Sequence, residues 1–99
     1  MRVALVCAGG MSTSMLVTNM RKFAGEDDTI EAYGWANLEE FIDRFDVILV
    51  GPQISFHYAK IKTICEKHSK KCAQINVQIF GGMNGKAAMA LAEETMNGE

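Results

Sequence analysis

Cys7 closes an apolar run, Val3-Ala4-Leu5-Val6, and is followed by Ala8-Gly9-Gly10-Met11-Ser12-Thr13-Ser14 before an amphipathic stretch begins. A thiol in such a place is a nucleophile, and each residue after it has a physical use. Glycines let the backbone turn with its N–H groups pointing inward, with no Cβ in the way. The first turn of a following helix adds unpaired N–H donors and the positive end of the helix dipole. The hydroxyls of Ser12, Thr13 and Ser14 can donate to an anion, and one of them can cap the helix. Residues 8–14 therefore read as a phosphate cradle, with Cys7 as the nucleophile at its base.

What the loop lacks narrows the chemistry. Cysteine-dependent phosphatases and the related arsenate reductases follow the pattern Cys-x5-Arg, whose guanidinium grips the phosphate and stabilises the transition state. Here the sixth residue after Cys7 is Thr13, and the loop contains neither Arg nor Lys. No Asp or Glu occurs before Glu26 to protonate a leaving group. A cradle of this composition can hold a phosphocysteine and should hydrolyse it poorly, as suits a carrier. The alternative reading is a low-activity cysteine-dependent phosphatase or arsenate-reductase-like enzyme.

The elements that must position this loop follow from the apolar pattern. Val3 to Val6 predicts a strand buried on both faces. From Ser14 to Ala24, Leu16, Met20 and Phe23 fall on one helical face. Thr29 to Tyr33 predicts a weaker strand at the sheet edge. Asn37, with Glu40 three residues on, has the form of an N-cap and its partner before a short helix through Leu38, Phe41 and Ile42. Val47 to Val50 is the strongest strand signal, and Gly51-Pro52 ends it. Ser55 to Lys70 predicts a helix with Tyr58, Ile61, Ile64/Cys65 and His68 along one side. Ala73 to Val77 predicts a fourth strand, and Asn84 to Met96 a last helix with Ala88, Leu91, Ala92 and Thr95 on one face. Such alternation implies an α/β fold: a four-stranded parallel sheet flanked by helices on both faces.

Bulk properties set the outer limits. Ninety-nine residues accommodate one domain, residues 1–99, and not two. A hydrophobic share of 48% supports a packed core and argues against disorder. The net charge of −2 removes a general electrostatic case for nucleic acid. Lys60, Lys62, Lys67, Lys70 and Lys71 read as a solvated helix with cations toward its C-terminal end. No apolar run is long enough to span a bilayer, and Val3 to Ala8 is too short for a secretion signal. Three cysteines without framework spacing fit a reducing compartment, so a cytoplasmic protein is expected.

Three other patterns carry less weight. Gly81 to Ala87 superficially resembles a nucleotide-binding P-loop, but Phe80 and Ala87 occupy positions that need Gly and Ser or Thr. Cys65, His68 and Cys72 offer three metal ligands where a structural zinc site has four, so no metal is expected. His57 and His68 lie outside any Gly-rich anion loop.

The segment Val3 to Ser14 (VALVCAGGMSTS) resembles the active-site signature of the IIB components of bacterial sugar phosphotransferase systems, most closely the lactose/cellobiose/chitobiose class. Val47 to Ile54 (VILVGPQI) and Phe80 to Gly85 (FGGMNG) agree with it, as do length and element order. The resemblance implies a cysteine, here Cys7, that accepts phosphate from a histidine of a IIA protein. The group then passes to a disaccharide held by a membrane-embedded IIC transporter. It implies no cofactor and no direct insertion of this chain into the membrane. The sugar is recognised in the membrane component, so this chain does not distinguish cellobiose, chitobiose or lactose. Met11 at the loop tip, with Ile54 or Phe56 beside it, would form an apolar rim for docking partners, and Gln53 would hydrogen-bond across the site.

Overall fold

The computed structural model describes residues 1–8 and 11–98, with the side chains of Met11 and Ser12 outside the described set. The strands are β1 (Arg2–Cys7), β2 (Thr29–Gly34), β3 (Val47–Val50) and β4 (Lys71–Gln74). Between and after them come α1 (Met11–Arg21), α2 (Leu38–Phe41), α3 (Tyr58–Lys67), α4 (Val77–Gly81) and α5 (Gly85–Asn97). Short 3-10 turns at Trp35–Asn37, Ile42–Arg44 and Pro52–His57 complete the path. All pairings are parallel, in the order β2-β1-β3-β4, so the expected four-stranded parallel sheet is present.

Alternation of Cβ direction along the strands divides the core into two layers. Val3, Leu5, Val47 and Leu49 face α1 and α5, meeting Leu16, Val17, Met20, Ala88, Met89 and Ala92. Ala4, Val6, Ile48 and Val50 face the other way, onto Leu38, Phe41, Ile42, Phe45, Ile61 and Cys65. The register Val3↔Val47 through Val6↔Val50 keeps each set on its own side. A slip by one residue would exchange the two faces.

Helix boundaries differ from expectation, for identifiable reasons. Helix α1 starts at Met11 and stops at Arg21, so Phe23 lies beyond it, 53% exposed. Arg21 ends the helix by donating from Nε and Nη2 to the Ile30 carbonyl, at 3.0 and 2.6 Å, which ties the last turn to β2. Asn37 does occupy the N-cap position of α2, but its side chain makes no capping hydrogen bond. Helix α3 begins only at Tyr58, because Ile54 leaves helical geometry (φ −119°, ψ 29°) inside the preceding turn. Strand β4 lies two residues earlier than expected. Asn76 accepts from the Ile79 N–H at 2.8 Å and caps α4, so Val77 opens a helix instead of ending a strand.

The loop before α5 acts as a wedge for α1. A Cβ on Gly85 would lie 2.4 Å from the Asn19 carbonyl carbon, so only glycine permits this approach of the two helices. Asn19 donates to the Met83 carbonyl at 2.9 Å, and Met83 takes a left-handed φ of 51° to present it. Asn84 caps α5 by accepting from Ala87 N at 3.0 Å.

Candidate functional site

In a parallel sheet the ligand crevice lies beyond the carboxyl ends of the strands, where the chain switches direction across the sheet. With the order β2-β1-β3-β4, that point falls between the ends of β1 and β3. Cys7 is the last residue of β1, opposite Gly34 of β2, and Gly51 follows β3 directly. Gly51 N donates to the Val6 carbonyl at 2.8 Å, holding the two strand ends together.

Position along β1 puts the Cys7 side chain on the Val3/Leu5 face, toward α1. Its Sγ is in hydrogen-bond contact with Thr13 Oγ1, and Thr13 is itself buried in the first turns of α1. The thiol therefore sits at the N-terminal end of an eleven-residue helix, where backbone N–H groups lack intrahelical acceptors and the dipole is positive. Cys7 is 2% exposed. Ala8 and Ser14 are exposed on either side of the junction. Such a site suits an anion bound beside the sulfur and limits the access of bulk water.

Gly9 and Gly10 lie outside the described residues, as do the side chains of Met11 and Ser12, so those parts of the expected cradle and rim stand as expectations. Gln53 is exposed, with its amide folded back toward the strand ends. A Cβ placed on Gly51 would meet Gln53 Oε1 at 2.9 Å and Cys7 Cβ at 3.1 Å. Phe56 is 78% exposed and leans on His57, with ring centroids 4.2 Å apart.

Ile54 corrects the expectation of an apolar docking rim. It is 2% exposed and packs among Val6, Val50 and Ile61 on the α3 side of the sheet. Its irregular backbone turns the side chain inward, so of the two apolar residues only Phe56 is exposed.

Several residues at this edge were not singled out by spacing. Gly51 reads in sequence as a strand terminator, yet it also leaves room beside Cys7. A glycine just after the strand beside β1 is the signal that would have found it. Trp35, following β2, stacks on His57 at 4.0 Å, and Lys60 Nζ lies 5.6 Å from the Trp35 ring centroid. A cleft of about 310 Å³ opens beside Gln53, lined also by Pro52, Val77, Phe80 and Gly81. His68 turns to Asp43, with Nδ1 3.1 Å from Oδ1, and among the described residues no His, Cys, Asp or Glu cluster could hold a metal ion.

A family profile described as "PTS system, Lactose/Cellobiose specific IIB subunit" matches residues 2–91. The chain belongs to the lactose/cellobiose-specific IIB family of the phosphotransferase system. It is 36% identical over 103 residues to the cellobiose-specific EIIB component of Lactococcus lactis subsp. lactis, covering 96% of this chain and 95% of that one. The solution structure of a cellobiose-specific IIB component from Borrelia burgdorferi superimposes with a TM-score of 0.80 at 39% identity, over 98% of this chain and 92% of the other. A lactose-specific EIICB component of Streptococcus mutans is 27% identical over 97 residues, covering 93% of this chain and 17% of that protein. As a IIB component the protein is a phosphotransferase, a phosphoryl carrier in sugar uptake. Among the described residues, no helix of this IIB component is long and apolar enough to cross a membrane.

Proposed function

We propose that Cys7 carries the phosphoryl group, taking it from a phosphohistidine of a IIA protein and passing it to a disaccharide held by a membrane IIC transporter. In the first step the Cys7 sulfur attacks phosphorus, an S–P bond forms, the N–P bond breaks, and the imidazole recovers a proton. In the second step a sugar hydroxyl oxygen attacks phosphorus, the S–P bond breaks, and thiolate is regenerated while the hydroxyl proton leaves to a base. Residues 8–14 would hold the phosphoryl oxygens through backbone N–H groups and the hydroxyls of Ser12, Thr13 and Ser14. The chain would work in the cytoplasm as a single carrier domain, with Met11, Gln53 and Phe56 at the docking edge.

The observation that supports this reading best is the contact between Cys7 Sγ and Thr13 at the N-terminal end of α1. On this reading, phosphoryl oxygens on that sulfur would meet amide hydrogens of the helix end. A hydroxyl stands in the position where a phosphatase would need arginine, and residues 8–20 include no charged side chain. A phosphocysteine held there gains stabilisation from dipoles, and residues 8–20 supply no carboxylate to activate water against it, which favours the carrier over the hydrolase.

Reconstitution with phosphoenolpyruvate, the general phosphotransferase proteins and a IIA partner tests it by intact mass. One phosphoryl group per wild-type chain and none on Cys7→Ser is the expected result. A wild-type chain that stays unmodified while IIA becomes phosphorylated refutes the assignment.

A further inference from the structure

Two thiols away from Cys7 share one core layer on the α3 face of the sheet. Cys65 is in the last turns of α3 and Cys72 is the second residue of β4. The intervening turn bends the chain back on itself. Ser69 takes a left-handed φ of 58°, and Lys70 N donates to the Cys65 carbonyl at 2.8 Å. Cys72 packs against the core layer in which Cys65 is buried, and its Sγ lies 3.7 Å from the Tyr58 hydroxyl. Cys65 is fully buried in the core, whereas Cys72 is half-buried on an edge strand. Cys72 lines a cleft of about 340 Å³ whose walls include Lys62, Glu66, Lys70 and Lys71. An accessible thiol beside several cations is the setting in which cysteines react.

The same neighbours separate the two thiols in acidity. The neighbouring Cys65 thiol is the main cause that lowers Cys72 to about 7, helped by the Tyr58 hydroxyl and the Lys62 charge and opposed by burial and Glu66. Cys65 is pushed up by the neighbouring Cys72 and by burial. Burial first, then the Cys72 contact, pushes Tyr58 up to about 12, so its hydroxyl remains a donor. Exposure distinguishes them in the same direction, since Cys72 opens to the cleft and Cys65 is sealed in the core.

We propose that Cys72 is a site of oxidation by small hydroperoxides, with Cys65 as its resolving thiol, so that the pair closes to a Cys65–Cys72 disulfide. The Cys72 thiolate attacks the peroxide, an S–O bond forms and the O–O bond breaks. Sulfur is oxidised by two electrons, and hydroxide or alkoxide leaves and takes up a proton. The Cys65 sulfur then attacks the Cys72 sulfenic acid, the S–S bond forms, the S–O bond breaks, and hydroxide leaves with the Cys65 proton as water. A thiol reductant reverses the reaction by exchange. The bond would tie α3 covalently to β4, two strands from Cys7.

The test uses the full chain carrying Cys7→Ser, so that the other two thiols report alone, exposed to hydrogen peroxide. A loss of about two mass units and a Cys65–Cys72 cross-linked peptide are expected, both reversed by dithiothreitol. Adding Cys72→Ser should abolish the change. Adding Cys65→Ala should leave a sulfenic acid on Cys72 that dimedone traps. In unoxidised protein at pH 7, iodoacetamide should modify Cys72 at least about tenfold faster than Cys65. Circular dichroism verifies that each variant is folded. The proposal fails if excess peroxide leaves both thiols intact, if oxidation proceeds equally without Cys72, or if Cys72 oxidises in the parent and no link to Cys65 forms.

Discussion

Cys7 and Cys72 carry the same functional group in opposite surroundings. Cys7 ends a central strand, 2% exposed, in contact with a threonine hydroxyl at a helix N-terminus, and residues 8–20 hold no charged side chain. Cys72 begins an edge strand beside a second thiol and a phenol, at a cleft bordered by lysines. The first site stabilises negative charge with fixed dipoles, which cost little reorganisation and donate no proton to a leaving group. The second stabilises a thiolate through hydrogen-bond donors and a nearby ammonium group, which leaves the sulfur open to small electrophiles. The difference teaches that what packs against a thiol selects its chemistry.

The sharpest break between the two sites is expected from exchanging their sulfurs for oxygen. Cys7→Ser should lower phosphoryl uptake from IIA by at least about a thousandfold, whereas Cys72→Ser should stay within about twofold of wild type, measured by labelled phosphate incorporation. Next in size is the support behind α1. Gly85→Ala forces a Cβ into the Asn19 backbone and should cost about 3 kcal/mol of stability, read as a lowered urea midpoint. Any loss of phosphoryl uptake in its folded fraction would report movement of α1, and Cys72 alkylation should be unaffected.

Smaller effects separate the sites more finely. Thr13→Val removes the hydroxyl from the Cys7 sulfur and should slow phosphoryl uptake about tenfold while leaving the fold intact by circular dichroism. At the other site, alkylation of Cys72 should rise with pH around a midpoint near 7, and Cys65→Ala should move that midpoint upward by removing the main cause of the shift. The smallest effect belongs to an ion pair outside both sites. Arg2, hydrogen-bonded to Asp46 at 3.1 Å, holds that carboxyl below its usual range. Its share of stability is present above the ordinary carboxylate pKa and lost as pH falls through the lowered value. Arg2→Ala should therefore flatten the acid limb of a urea-midpoint profile slightly while leaving both sulfurs unchanged.

Much of the fold was legible because its signals are local. Val3 to Val6 and Val47 to Val50 are apolar at every position, as strands covered on both sides must be, and Ala88, Leu91, Ala92 and Thr95 fall on one face of a last helix. The failures occurred where one local pattern served two structures. Ala73 to Val77 has the composition of a strand, but Asn76 caps a helix there and Val77 is left 69% exposed. Ile54 has the side chain of a docking residue, yet its backbone geometry turns it into the core.

By itself the sequence determined the alternation of four strands with helices, the two-faced strands, the position of Cys7 at the end of the first strand, and the absence of charge in the loop that follows. These follow from residue type and spacing, which act between near neighbours in the chain. Only the tertiary structure decided that Thr13 meets the thiol, that Gly51 and Gln53 border it, that Gly85 seats α1, and that Cys65 and Cys72 share one core layer. Those relations join residues on different elements, and they arise from the strand order and from how closely helices can approach. Such distances have no counterpart in spacing along the chain.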